Sequence, residues 1–300
     1  MRIATFNVLH GSPHRADGRP VDPTSAQAEG VGAAQQPLAD AVAALDVDVL
    51  ALQELDRYQA RSGDVDQAEI AATAMGAVDW RYASALHGRA VSGVGWVRDR
   101  NAPELGVYGP EDAPLLAMIP SHGTALLTRR PVLHWRARRF PAAPVGLPLW
   151  SAGRRALTMV RDHPRVAVAA VLEGVRGPFT IVATHLSFIP GWNAGQLATL
   201  RKWVADLPGP QLLLGDLNLT GPIPRAVLVG AELLQGLLNP GPVEHHWHDL
   251  ARTATYPAHH PLVQFDHVLA TGVPSSAVRV SFAPHGSISD HRALVVELPG

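Results

Sequence analysis

Short apolar runs of strand length recur along the chain, and several end abruptly on an acid, an amide or a histidine. Residues 2–8 alternate and read as a first strand ending at Asn7. Residues 11–36, with Gly, Pro, His and Asp, read as a long loop. A helix is predicted over 37–45 with Pro37 in its first turn, then a buried strand over 46–54 that ends in Glu54. Residues 66–75 predict a second helix, and 84–122, rich in Gly and Pro, short strands and loops. A strand over 123–131 runs into a turn, and 141–153 reads as a Pro-rich loop. Strands follow at 154–161, 165–173 and 178–184, the last two joined as a hairpin by Gly174-Val175-Arg176-Gly177. Helices at about 194–206 and 225–234 flank a strand at 211–215. A Pro- and His-rich loop over 239–261 precedes strands at 264–270, 277–283 and 292–298. With no repeat or linker in view, residues 1–300 read as one domain of two packed sheets with interspersed helices.

Composition narrows the class. The 300 residues are 47% hydrophobic and 17% charged, enough for a sizeable core. Cysteine is absent, which excludes disulfides, thiolate zinc sites and a cysteine nucleophile. The N-terminal residues enter a strand-like run directly, without the pattern of a secretory signal, and no apolar stretch reaches membrane-spanning length. A cytoplasmic location is the expectation. The formal net charge of −1 argues against a protein that grips long DNA nonspecifically, because phosphate neutralisation dominates that affinity. A local basic patch at Arg136 to Arg139 remains open.

The candidate chemistry lies at the strand ends. Thr5-Phe6-Asn7, Leu52-Gln53-Glu54, Ala183-Thr184-His185-Leu186, Leu214-Gly215-Asp216-Leu217-Asn218, Phe265-Asp266-His267 and Ser289-Asp290-His291 each close an apolar run with a residue that is costly to bury alone. One such acid is ordinarily a turn or cap. Six in one chain ask for a common meeting place. A carboxylate is a hard ligand suited to Mg²⁺, and a histidine beside it holds or moves a proton near neutral pH.

In that order these motifs resemble the endonuclease/exonuclease/phosphatase superfamily of Mg²⁺-dependent phosphoesterases, from residue 2 to residue 297. The resemblance implies an α/β fold, a four-layer α/β sandwich of two mixed β-sheets packed face to face with helices outside. It implies Glu54 as principal Mg²⁺ ligand, Mn²⁺ being a substitute, with Asn7 and Asp290 completing or supporting the shell. Asp216 would orient or deprotonate the attacking water, and Asn218 would hold a phosphate oxygen or fix Asp216. His291 would contact the scissile phosphate, oriented by Asp266, and His185 would donate to a phosphate oxygen or protonate the leaving group. The implied reaction is metal-dependent hydrolysis of a phosphodiester or phosphomonoester by in-line attack of water, in a monomer.

Other residues carry weaker signals. Arg129, after the Leu-Leu-Thr strand, is a candidate for substrate binding or for a structural ion pair; Arg155, with Arg154 its equal, is a candidate for the phosphate side, and a surface role weighs evenly against Arg129 and Arg155. Trp192 either lines the pocket and stacks on the substrate or packs in the core. His245, His246 and His248 invite a zinc reading that their Pro-rich loop, without a cysteine or carboxylate framework, disfavours. The alternatives are a DNA endonuclease or exonuclease of the same superfamily and a catalytically silent binding module. The silent reading predicts a lost site residue, and none is lost. Whether the substrate is a nucleic acid, a nucleotide, a phospholipid head group or another small ester is not encoded in motifs that address only phosphate and metal.

Overall fold

The structure is a computed structural model that describes residues 1–21, 31–91, 94–112, 118–151, 156–238 and 247–299. Among them are β1 (Arg2–Asn7), α1 (Val31–Leu45), β2 (Val49–Arg57), α2 (Gln67–Met75), β3 (Asp79–Val91), β4 (Gly95–Arg98), β5 (Val107–Tyr108), β6 (Ser121–Thr128), β7 (Val132–Phe140), β8 (Gly146–Ser151) and β9 (Ala156–Arg161). The second half adds β10 (Arg165–Leu172), β11 (Phe179–His185), α3 (Trp192–Val204), β12 (Gln211–Asp216), α4 (Ile223–Leu238), β13 (Trp247–Asp249), β14 (Asp266–Thr271), β15 (Val280–Phe282) and β16 (Leu294–Glu297).

The strands form two large mixed sheets. The first runs β15-β16-β1-β2-β6-β3-β4, with β5 on β3, and the second runs β13-β14-β12-β11-β10-β7. β1–β2 and β11–β12 are parallel, and each sheet is otherwise antiparallel. β8 and β9 form a separate hairpin.

Period-two alternation explains the layers. Ile3, Val49, Ala51 and Leu126 of the first sheet meet Val168, Ile181, Leu212, Leu214 and Val268 of the second in one core. The alternate residues Phe6, Leu50 and Leu52 face Leu38 and Val42 of α1 and Ala68 and Ala71 of α2. On the opposite outside, Ala169, Val182 and Leu213 pack under Leu197 and Leu200 of α3 and Leu228 of α4. Helix, sheet, sheet and helix make the expected four layers.

Several boundaries differ from the sequence reading. The first helix starts at Val31 rather than 37, so Pro37 lies inside it at the cost of one backbone hydrogen bond. β2 continues past Glu54 to Arg57. The supposed loop over 141–153 contains β8, and β13 rises from the loop over 239–261. β7 had no predicted counterpart. Its Trp135 and Ala137 turn inward while Arg136 and Arg138 take the alternate face of this edge strand. Two of its three arginines have acidic partners: Arg136 is paired twice with Asp206, at 2.6 and 2.8 Å, and Arg139 approaches Glu104 at 3.8 Å.

Candidate active site

The inner face of the sandwich carries the same alternation one step past its apolar core. Ile181 and Ala183 lead to His185, Leu212 and Leu214 to Asp216, and Val268 leads back to Asp266. On the first sheet Ile3 and Thr5 lead to Asn7. The polar residues therefore open at one mouth between the sheets. In pairing register, His185 stands beside Asp216 and Asp216 opposite Asp266. Gly215 permits that pairing, because a Cβ there would come within 2.0 Å of the Thr184 carbonyl oxygen.

Glu54 arrives differently. Leu52 pairs with Ala125 and Leu55 with Gly123, so two residues of β2 stand against one of β6 in a bulge. Glu54 takes a left-handed backbone with φ 59°. Leu52 and Leu55 both keep to the helix side, while Asn7 Nδ2 donates to Glu54 Oε1 at 3.0 Å. Leu9, His10 and Asn218 are also left-handed and line the same pocket. Strained non-glycine backbone held by its surroundings gathers at functional sites.

Asn7 Nδ2 also donates to Asp216 Oδ2 at 3.1 Å, and its Oδ1 accepts the Leu9 amide at 3.2 Å. Asp216 Oδ1 accepts the Asn218 backbone N–H at 3.0 Å. Burial, helped by the charge of Asp266, pushes the Asp216 carboxyl up to about 7 against the opposing pull of His291. Burial also pushes Glu54 up, but His122, the Asn7 hydrogen bond, Arg165 and His291 outweigh it and hold the group below its ordinary value. Asp290 lines the pocket and is raised by burial, with Glu54 adding to the shift.

The two histidines differ. His291 Nδ1 donates to Asp266 Oδ2 at 2.8 Å, and its Nε2 stands 3.8 Å from Asp216 Oδ2. Burial alone would discharge this imidazole; Asp266, with Asp216 and Asp290, instead raises it to about 10. Asp266 Oδ2 also accepts from Thr255 Oγ1 at 2.6 Å. Ser289, itself left-handed at φ 68°, ties this loop to β1: its Oγ donates to the Asn7 carbonyl at 2.6 Å and accepts the His291 N–H at 3.0 Å.

His185 is held well below its ordinary value by burial and by the Arg165 charge. Its Nε2 lies 3.1 Å from Arg165 Nη1 and 3.3 Å from Asn218 Nδ2. Both neighbours are donors, which assigns Nε2 as the acceptor and leaves Nδ1–H, 4.0 Å from Glu54 Oε1. A neutral imidazole accepting on that edge is poorly placed to be the proton donor that the resemblance implied.

Glu54, Asn7, Asp216, Asn218, His185, Asp290 and His291 thus line one pocket of about 750 Å³, with Asp266 directly behind His291. Other candidates lie elsewhere. Arg129 is at the far end of β6, where its Nε donates to the Met75 carbonyl and its Nη1 to Asp46, each at 2.8 Å. Trp192 opens α3 and donates Nε1–H to the Pro141 carbonyl at 3.1 Å; Phe188 and Pro190 line the pocket in its stead. Arg154, Arg155, His245 and His246 fall outside the described residues, and His248 lies in β13. Arg165 was not singled out in the sequence. It opens an apolar strand next to His163, and its only mark was a charge at the start of a buried run.

Among the described residues, Asp216, Asp266 and His291 bring ligand atoms within 4.8 Å of one another, a grouping able to hold a metal ion. Asp266 Oδ2 is already engaged by His291 and Thr255, so this trio serves its imidazole first. Glu54 and Asp290 add carboxylates to the same pocket, and the Glu54 charge helps to raise Asp290. Carboxylate oxygens are the donors that a hard divalent cation takes.

A family model for the endonuclease/exonuclease/phosphatase family matches residues 4–291. None of the curated proteins matches the chain. Similar solved structures include an endonuclease/exonuclease/phosphatase from Beutenbergia cavernae DSM 12333, at 20% identity and TM-score 0.53 over 100% of this chain and 72% of that one. A family protein from Leptotrichia buccalis C-1013-b is 15% identical with TM-score 0.58, and a mannosyl-6-phosphatase from Bacteroides thetaiotaomicron VPI-5482 is 13% identical with TM-score 0.56; both alignments cover 100% of each chain. At these identities the neighbours establish the shared fold. The family match over nearly the whole length goes further: the chain belongs to the endonuclease/exonuclease/phosphatase family.

Proposed function

We propose that this member of the endonuclease/exonuclease/phosphatase family, acting as one domain over residues 1–300, is a divalent-cation-dependent phosphoesterase that hydrolyses its substrate by in-line attack of water. The observation that carries the reading is the convergence on Asp216 Oδ2, which lies 3.1 Å from Asn7 Nδ2, 3.6 Å from His185 Nε2 and 3.8 Å from His291 Nε2. Base, acid and amide from both sheets stand around one point.

Glu54 and Asp290, supported by Asn7, would hold the cation, Mg²⁺ or in its place Mn²⁺. Bound there, the ion would supply positive charge to the phosphoryl oxygens and help to orient water. Asp216, whose carboxyl titrates near neutrality, takes the proton of the attacking water. The Asn218 N–H fixes its orientation. His291, kept charged by Asp266, gives its Nε2 proton to the leaving oxygen, and the 3.8 Å separation from Asp216 lets the water-derived proton return to it. Arg165 and neutral His185 stand on the phosphate side, with the Arg165 guanidinium aimed at a phosphoryl oxygen.

Purified protein with Mg²⁺ or Mn²⁺ is assayed on bis(p-nitrophenyl) phosphate, p-nitrophenyl phosphate, inositol phosphates, sphingomyelin, abasic DNA and plasmid DNA. Metal-dependent turnover of at least one ester is expected, abolished in folded Glu54→Ala and His291→Ala. No turnover by metal-loaded wild type would leave a binding module as the better reading. Cleavage confined to DNA would favour the nuclease alternative.

A further inference from the structure

One arm of the pocket is built from residues that take no step in the proposed hydrolysis, although the charge of one of them, His122, reaches Glu54. Asp56 lies just beyond the bulge on β2, in register with His122 on β6. Its carboxylate is fully buried and accepts Arg61 along one edge, from Nε to Oδ2 at 2.7 Å and from Nη2 to Oδ1 at 2.9 Å. His122 Nδ1 donates to the same Oδ1 at 2.8 Å, and Ser62 Oγ donates to Oδ2 at 3.2 Å. The Arg61 guanidinium lies over the Trp96 ring at 5.2 Å from its centroid, and His122 packs against that ring at 5.4 Å. Arg61, Trp96 and His122 line the same pocket as Glu54 and His291.

This arrangement fixes a cation in place. An exposed arginine ordinarily samples many rotamers; here a buried carboxylate holds one edge and an indole one face. What is left for a ligand is the Nη1 side, which no hydrogen bond among the described residues uses, on a side chain one-third exposed (33%). Because Arg61 and His122 already pack on Trp96, the ring serves the guanidinium more than it offers a platform for a base. A pre-oriented fork of this kind suits a phosphoryl oxygen.

We infer that this arm is a subsite for a second phosphoryl group, so that the substrate is a small ester with one phosphoryl group at the hydrolytic centre and another on Arg61. The inference rests on the hydrolytic reading above and names its substrate class. A small molecule fits better than a polynucleotide. A pocket of about 750 Å³ lies in the range of small-ligand sites. Outside it, Arg136 and Arg139 are taken up by acidic partners, and the net charge of −1 supplies no broad basic track.

The test measures phosphate release by the Mg²⁺-loaded protein from fructose 1,6-bisphosphate against fructose 6-phosphate, and from adenosine 3′,5′-bisphosphate against AMP, with an oligothymidylate as a third arm. In at least one pair, kcat/KM for the doubly phosphorylated member is expected to exceed its partner by about tenfold or more, as charge-assisted hydrogen bonds allow. Arg61→Gln is expected to bring that ratio near one, and Arg61→Lys, which keeps a cation without the fork, to retain part of it. Wild-type ratios near one in both pairs overturn the inference. So does an unchanged ratio in Arg61→Gln, or in Arg61→Lys where the glutamine variant does not fold. Preference for the oligothymidylate assigns the arm to a nucleic-acid backbone and overturns it too. Absence of all turnover counts against the hydrolytic reading instead, and the arm is then judged by thermal stabilisation. With Mg²⁺ present, fructose 1,6-bisphosphate must raise Tm more than fructose 6-phosphate in wild type but not in Arg61→Gln; equal shifts overturn it.

Discussion

The side-chain amide of Asn7, on one sheet, donates to the carboxylate of Asp216, on the other, across 3.1 Å, and reaches Glu54 at 3.0 Å with the same nitrogen. One neutral donor therefore links the two acids that the proposed reaction most needs. Removing it in Asn7→Ala leaves both carboxylates short of a partner. A loss of about 1–3 kcal/mol is expected, with part of the lost Tm recovered on adding Mg²⁺ because the ion binds only the folded chain. Calorimetry of metal-free and metal-loaded protein checks both halves. A Tm identical to wild type in the metal-free protein would show that the link contributes nothing.

In the metal-free protein Asp216 should contribute stability that is lost as pH rises from about 4 to about 7, against the opposite contribution of the buried, lowered His185. Asp216 titrates near 7 when folded and near 3.9 in an unfolded chain, so between those values the folded state holds the extra proton. Its contribution then falls with rising pH, by up to about 4 kcal/mol at 1.36 kcal/mol per pH unit. Asp216→Asn removes this contribution, so that its stability changes with pH differently from that of the wild type. Urea melts of both proteins in chelator at several pH values measure it, and parallel slopes would refute the assignment.

Asp266→Asn keeps the shape behind His291 but removes the charge that stabilises its imidazolium. Activity should fall by about 10²–10⁴. The alkaline limb of the pH–rate profile should move to lower pH, since the His291 proton, held to about 10 with Asp266 ionised, leaves more readily without that charge. An unmoved limb would mean that His291 is not the group being titrated.

Arg165→Met removes the cation beside His185. Loss of that charge should raise the His185 pKa, readable by NMR titration, because the Arg165 charge is, after burial, the largest influence lowering it. Turnover should fall by about 10²-fold if the guanidinium meets a phosphoryl oxygen in the transition state. A raised His185 pKa with undiminished kcat would assign Arg165 to the histidine alone.

The layers and most of the site were legible in the sequence because both follow from period two. Each apolar strand continued by one inward step ends on His185, Asp216, Asp266 or Asn7, and those steps can be counted without coordinates. Three things could not be counted. The bulge at Glu54 breaks the period, so the alternation gives no sign that β2 runs on through Asp56 and Arg57. β7 is an edge strand whose three arginines obscure its apolar side, so no local pattern marks it as a strand. Arg129, read as substrate-binding or as a structural ion-pair partner, proves to be the latter: it pairs with Asp46 at the opposite end of the sheet, because direction along a strand is set by pairing that no local pattern records. The electrical contrast between His185 and His291 was also out of reach. It depends on Arg165 and Asp266, which stand 20 and 25 positions away from them in the chain.

The bulge on β2 works as a phase shift in the strand. Before it, even-numbered positions look toward the helices, as Leu50 and Leu52 do; after it the odd ones do, with Leu55 in the helix-side core and Arg57 bound to Asp66 at the start of α2. Asp56 is thereby turned to the side where His122 and Arg61 wait. Straightening the bulge without losing a residue would put Leu55 on the inner face and, in the same stroke, rotate the downstream acid toward the helices. The proposed second-phosphate site and the metal carboxylate thus share a single hinge point in the chain, and neither could be lost or gained by strand slippage without disturbing the other.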